Sequence, residues 1–281
     1  MNRLNQSAIS APFAIDWLTR QPYRDLHPRF LNAVERFATW PTPEQYDQLA
    51  AQVPRVPGAL PHFVTENRTA LRAVGGYERH VERLSAVPTR PGHWHDFFNM
   101  AVWAHFPALR WALNALHVDP NAGPIDARNG RAPAQNSAAS FDESGMIVLS
   151  TSRAVLEELR ALRFRHAFWE LRAEVLETTR FWVVGHGLLE SLLAPRPGFI
   201  ARSVQIQLPA LPTENPSDEL RFEVDALIAA HVRAWRTARP VLDPVPVLAI
   251  PGFSDNDSAD FYDDLRNIRF VPISRRPEAH T

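Results

Sequence analysis

Arg90-Pro91-Gly92-His93-Trp94-His95-Asp96-Phe97-Phe98-Asn99 opens the stretch on which the reading of this chain turns, and it continues through Met100, Trp103 and Phe106-Pro107 to Leu113-Asn114-Ala115-Leu116-His117. Four histidines, an aspartate and two asparagines sit in a strongly aromatic segment, where an unpaired polar group is costly. Pro91-Gly92 interrupts any preceding element, and from Trp94 onward large apolar residues with polar ones at helical spacing predict a helix. At about 3.6 residues per turn, His95 and Asn99 are an i,i+4 pair and Asp96 and Asn99 an i,i+3 pair. Pro107 cannot continue that helix but fits the first turn of a second one, in which Asn114 and His117 are again i,i+3. Two helices meeting at a corner can aim His95, Asp96 and Asn99 toward Asn114 and His117, forming one wall of a polar site. A structural role competes: Asp96 as a helix cap or acceptor from His93, with Asn99 and Asn114 bracing the corner.

The composition sets limits. With 281 residues and 45% hydrophobic content the chain is long enough for a large packed core. A net charge of -1 provides no global field for nucleic acid or an anionic membrane. No run reaches about 18 apolar residues, and Met1-Asn2-Arg3-Leu4-Asn5-Gln6 lacks the apolar core of a secretory signal, so a cytoplasmic protein without membrane spans is expected. There is no cysteine, which excludes disulfides, thiolate nucleophiles, cysteine-held zinc and iron-sulfur clusters. Every basic side chain is arginine; the absence of lysine removes lysine-bearing phosphate loops, Schiff-base chemistry with pyridoxal phosphate and kinase catalysis in its usual form. Arginine in place of lysine, with much alanine and proline, is also the default product of a GC-rich genome.

Taken in order, residues 1–60 form a proline-punctuated helical lead-in, with helices expected over Arg29 to Phe37 and Glu44 to Ala50 and a linker at Trp40-Pro41-Thr42-Pro43. Phe63-Val64 starts a short strand, and Tyr77 to Leu84 reads as a short amphipathic helix behind Gly75-Gly76. A polar, turn-rich loop follows from Asp119 to Ala134 and carries Arg128 and Arg131. Ala138 to Phe141 and Met146 to Leu149 flank Asp142-Glu143-Ser144-Gly145, a pattern that predicts a β-hairpin. Ser150 to Ser152 caps the next helix, Ser203 to Leu208 alternates as a half-exposed strand, and Asp218 to Arg239 reads as an amphipathic helix stopped by Pro240. No repeat appears and no linker forces a boundary, so a single domain over 1–281 is expected.

The second polar outlier is Phe181-Trp182-Val183-Val184-Gly185-His186-Gly187-Leu188-Leu189-Glu190. In a helix, His186 and Glu190 share a face as a histidine and its orienting carboxylate would, or as two metal ligands would. With Phe181 to Val184 as a strand, Gly185-His186-Gly187 is instead a tight turn that exposes His186. A dinucleotide loop is disfavoured because Glu190 stands where a third glycine belongs.

On these residues the chain resembles a bacterial family known as domain of unknown function 3025. The resemblance rests on His95-Asp96-Phe97-Phe98-Asn99 with Trp103 and Phe106-Pro107, on Leu113-Asn114 with His117, on Gln135-Asn136 with Phe141 to Gly145, on Gly185 to Glu190, and on Ile250-Pro251-Gly252 with Asn256, Phe261 to Asp264 and Arg269-Phe270. The matches span residues 77–272. They imply that these blocks belong together and carry no activity, cofactor or fold with them.

The expected architecture is α+β: a helix-rich domain with a small antiparallel sheet built from the hairpin near Asp142 and the strand near Ile206. Two functions are open. One is a hydrolase whose His95, Asp96, His186 and Glu190 activate water, alone or with one divalent metal ion held by those four residues, and with Asp142 or Glu143 as a further carboxylate. The other is a non-catalytic protein binding a small anion or nucleotide through Arg90, Arg128 and Arg131, with Asn99, Asn114 and His117 lining the pocket.

Overall fold

The computed structural model describes residues 13–54, 60–123, 130–211, 217–237 and 240–268. The lead-in supplies helices α1 (Pro28–Val34) and α2 (Pro43–Ala50), the second opened by a capping box in which Thr42 accepts from the Gln45 N–H while the Gln45 side chain accepts from the Thr42 N–H. Strand β1 (His62–Thr65), helices α3 (Arg68–Val74) and α4 (Tyr77–Leu84), and strand β2 (Ala86–Thr89) follow; β1 and β2 pair in parallel. The decisive stretch forms two helices, α5 (Trp94–His105) and α6 (Pro107–Val118), with Pro107 in the first turn of the second. Next come α7 (Pro133–Ser144), β3 (Gly145–Ser150), α8 (Arg153–Arg160), α9 (Arg172–Thr178), β4 (Thr179–Val183), α10 (His186–Ser191), β5 (Ile200–Gln207), α11 (Asp218–Ala234), β6 (Asp243–Pro246), α12 (Ala259–Asp263) and α13 (Leu265–Ile268).

The fold is helix-rich α+β, as the sequence predicts, but the sheet differs from expectation. It has four strands in the order β4-β3-β5-β6 and is mixed: β3 runs antiparallel to β4 and parallel to β5. The hairpin expected around Asp142 does not form. Residues 138–144 belong to α7, which Pro133 opens at its first position and whose buried Ala134, Ala138 and Phe141 share one helical face. The alanine-rich run favours a helix, and only after Gly145 do β-branched and long apolar residues take over. Strand β3 is buried along its whole length, as a central strand must be. Its parallel partner β5 arrives after a long crossover through α8, α9, β4 and α10, which returns the chain in the same direction.

Helix α5 carries two faces. Phe97 and Phe98, with Trp94, enter an aromatic cluster supplied largely by the lead-in: Trp94 stacks on Phe13 at 5.2 Å and on Phe98 at 5.7 Å, and Trp17 meets Phe98 edge-on at 5.4 Å. His95 and Asn99 emerge elsewhere on the helix. Helix α6 is anchored from α11, where the Asp225 carboxylate accepts from the N–H groups of Ala108 and Leu109 at 2.8 and 2.9 Å. Those are donors that the start of a helix leaves without intrahelical partners. The Tyr23 hydroxyl donates to the Leu189 carbonyl at 2.6 Å, tying the lead-in to α10.

His105 ends α5 inside the core. Its Nδ1–H donates to the Ala101 carbonyl at 2.7 Å, and its Nε2 accepts from the His27 N–H at 2.8 Å. Both nitrogens are used in opposite roles, so the ring has no place for a second proton, and burial pushes its pKa down to about 3. The unfolded chain protonates this histidine near 6.5. As pH falls from about 6.5 to about 3 the unfolded state alone takes up the proton, and stability declines by up to about 1.4 kcal/mol per pH unit. Urea unfolding of the wild type and of His105→Gln across this range is expected to give a steeper acid loss for the wild type; equal slopes would refute the assignment.

Candidate functional site

Three glycines bring the site's carboxylates and one of its histidines together. The Gly145 carbonyl, at the junction of α7 and β3, accepts the backbone N–H groups of Val184 at 3.0 Å and Gly185 at 2.9 Å. The antiparallel pairing of β3 with β4 thus sets the C-terminal end of α7 beside the N-terminal end of α10. A Cβ on Gly185 would strike the Gly145 nitrogen and come within 2.5 Å of the Ser144 Cα; one on Gly145 would strike the Phe141 carbonyl oxygen, and one on Gly187 the Glu143 carboxylate. With glycine at these positions, Asp142 and Glu143 lie next to His186.

Helix α5 completes the group. His95 and His186, 91 residues apart, face each other with Nε2 atoms separated by 3.0 Å and ring centroids by 4.4 Å. The Glu143 carboxylate lies 3.6 Å from His186 Nε2. Each ring turns its other nitrogen toward a carboxylate: His95 Nδ1 donates to Glu190 at 3.1 Å, and His186 Nδ1 lies 3.5 Å from Asp142. The two sequence blocks therefore meet in one place. They line a cavity of about 390 Å³ reached from solvent past the partly exposed His95 and Glu143.

The electrostatics of the pair are asymmetric. The hydrogen bond to Glu190 raises the His95 pKa against the opposing effect of burial. Burial, followed by the nearby Arg110 and His95, pushes His186 down to about 3 and leaves it neutral. Among the described residues lining the cavity, the carboxylates of Glu66, Glu78, Asp96, Asp142 and Glu143 outnumber the guanidinium groups of Arg90, Arg110 and Arg131.

Other residues singled out in the sequence occupy supporting positions. Asp96 is held by Arg90 through the backbone N–H at 2.6 Å, Nε at 2.9 Å and Nη2 at 2.8 Å, a bidentate clamp that fastens the end of β2 to the start of α5. Asn99 accepts from Arg110 Nη2 at 2.9 Å and donates to the Tyr77 hydroxyl at 2.8 Å. Asn114 donates to the Glu78 carboxylate at 2.6 Å and to its backbone carbonyl at 3.0 Å. His117 lines the same cavity, its pKa pushed down to about 4 by burial. Arg131 lines the cavity as well, whereas Arg128 lies outside the described residues.

Arg110, Tyr77 and Glu78 are the residues that sequence reasoning missed. Arg110 is 3% exposed, ion-paired with Asp142 and set over the Trp103 ring at 5.0 Å. A signal existed, because Arg110, Asn114 and His117 share one face of α6 at i, i+4 and i+7. Tyr77 and Glu78 open α4 and gave no comparable signal, since only the packing of α4 against α6 brings them here. Two groups among the described residues converge closely enough to ligate an ion: His95, Glu143 and His186, and also Glu78, His117 and Asp142. The second already contains a cation, the Arg110 guanidinium paired with Asp142. The first contains none.

Both histidine blocks, the glycines that join them and the helix carrying Glu143 lie within residues 61–271, and over that span the chain matches the family described as "Protein of unknown function (DUF3025)". The chain belongs to that family. No curated protein and no solved structure matches it. Among the described residues, no helix is long and apolar enough to cross a membrane.

The glycine contact generates a direct expectation. Gly185→Ala places a methyl group against backbone that cannot retreat, which should destabilise the protein by about 1–3 kcal/mol, as overpacking does. Urea unfolding is the check. Equal stability of Gly185→Ala and the wild type would contradict the close approach.

Proposed function

We propose that the chain is a hydrolase that activates water at one divalent cation held by His95 Nε2, His186 Nε2 and Glu143. One observation carries this reading: the two Nε2 atoms stand 3.0 Å apart while each ring directs its Nδ1 toward a carboxylate. Glu190 only accepts, so Nδ1 of a neutral His95 bears the hydrogen and its Nε2 lone pair faces His186 Nε2; among the described residues His186 Nδ1 makes no hydrogen bond, and in this reading the bound ion selects the tautomer that turns the His186 Nε2 lone pair to the same point. Glu143 adds a third lone-pair donor beside them. Three converging acceptors call for a cation between them.

Two histidines and a glutamate with a fourth position open form a known kind of catalytic zinc set, and an ion so held lowers the pKa of a bound water toward neutrality. Glu190 acts as the outer carboxylate that fixes the tautomer and direction of His95, while Asp142, paired with Arg110, stands behind His186. In this assignment Glu143 takes the ligand place that the sequence reading gave to Asp96 and Glu190, because Asp96 is spent on Arg90. The absence of cysteine leaves water as the simplest nucleophile. Arg90, committed to Asp96, is less suited to the alternative role of anion receptor.

Without an ion the same geometry holds one proton between the rings, with His95 as the imidazolium opposite Glu190. Elemental analysis separates the two. Protein purified without a metal-affinity tag, stripped with chelator and reloaded, is expected to retain one equivalent of zinc, manganese or iron. His95→Ala, His186→Ala and Glu143→Ala should each lose that retention, and Glu190→Gln should weaken it by about 10- to 100-fold. A screen of ester, amide and phosphoester substrates should then find turnover that the chelator abolishes. Wild-type protein that folds fully and takes up no metal would exclude this centre.

A further inference from the structure

A directed chain of hydrogen bonds runs beside the His95-His186 pair and ends on a phenol whose proton is unspent. It begins at the buried Arg110 guanidinium, which has only donors to offer. Its Nη2 donates to Asn99 Oδ1 at 2.9 Å, and that contact fixes the orientation of the Asn99 amide. The amide nitrogen must then face Tyr77, and it donates to the Tyr77 hydroxyl oxygen at 2.8 Å. The hydroxyl oxygen is therefore occupied as an acceptor, and among the described residues no acceptor takes its own hydrogen. Tyr77 lines the cavity that holds His95, Glu143 and His186.

We propose that the Tyr77 hydroxyl is the cavity's oxyanion donor, binding a carbonyl or phosphoryl oxygen of the substrate as negative charge builds on it; this rests on the metal-centre reading above. Asn99 and Arg110 are positioning residues: they keep the hydroxyl aimed and polarise it from a buried positive charge. Burial pushes the Tyr77 pKa up to about 12, so the group stays a donor at any physiological pH. A preset donor of this kind acts most strongly on the charge that develops during reaction, and it needs no rearrangement to do so. The arrangement also accounts for the cost of burying Arg110 under the site. Its ion pair with Asp142 steadies the carboxylate behind His186, while its bond to Asn99 fixes the donor across the cavity.

Inorganic phosphate, followed by its ³¹P relaxation in the presence of manganese-loaded protein, supplies the test. Wild type and Tyr77→Phe should bind the same one equivalent of manganese, while phosphate affinity falls by about 10- to 100-fold in the variant, the loss expected for a hydrogen bond to a charged group. Asn99→Asp provides a second arm: its carboxylate captures the Tyr77 proton, so phosphate binding should fall with metal uptake retained. Unchanged phosphate affinity in Tyr77→Phe at full metal occupancy overturns the proposal and leaves the metal centre standing. Wild-type protein that binds manganese but no phosphate overturns it equally. Failure to take up any metal removes the metal-centre reading, and this proposal with it.

Discussion

The Gly145 carbonyl accepts two backbone N–H groups, from Val184 and Gly185, at a point where neither glycine has room for a side chain. This contact joins the end of one helix to the start of another across the head of an antiparallel strand pair. Adjacent residues on α7 then point their carboxylates at a histidine on α10, and the site's geometry becomes a property of the backbone rather than of flexible side chains. Gly187 extends the same logic one position further, because a methyl group there would occupy the place of the Glu143 carboxylate. Preorganisation of this sort holds reactive groups close without the entropy of ordering them later.

Helix α5 reaches that contact from the other side of the core. Its aromatic face is locked by Phe13, Trp17 and Trp40 from the lead-in, so His95 is presented by a helix that cannot readily shift. The Arg90-Asp96 clamp fixes where the helix begins, and Asp225 fixes the start of the helix after it. The polar residues that look extravagant in an aromatic segment thus divide into two groups. Some, such as His105, hold helices in register; His95 and Asn99 face the cavity, and Asp96 does both. The sequence could not sort them, because both groups have the same composition and the same helical spacing.

Local patterning settled much of the chain. The turn at Phe106-Pro107 and the cap at Ser152 each follow from short-range backbone chemistry and are found where expected, and of the two readings open for Phe181 to Val184 the structure has the strand. The hairpin around Asp142 failed for the same local reason read the other way: a turn-like Asp-Glu-Ser-Gly run was given more weight than the alanine-rich helix before it. The mixed sheet was beyond reach, since strand direction depends on a crossover of some fifty residues between β3 and β5 rather than on either strand's own pattern.

By itself the sequence determined which blocks carry polar chemistry in apolar surroundings, excluded thiol and lysine chemistry, and placed the two histidine motifs on elements that can present them. The tertiary structure alone decided that His95 and His186 touch, that Glu143 rather than Asp96 joins them, and that Arg110 and Tyr77 stand in the same cavity. The reason is physical: residue spacing governs which side chains share a helix face, whereas partners 91 positions apart are selected by how close two backbones can approach. The approach of Glu143 to His186 is set by glycines whose role in a turn and whose role in a contact look identical in one dimension.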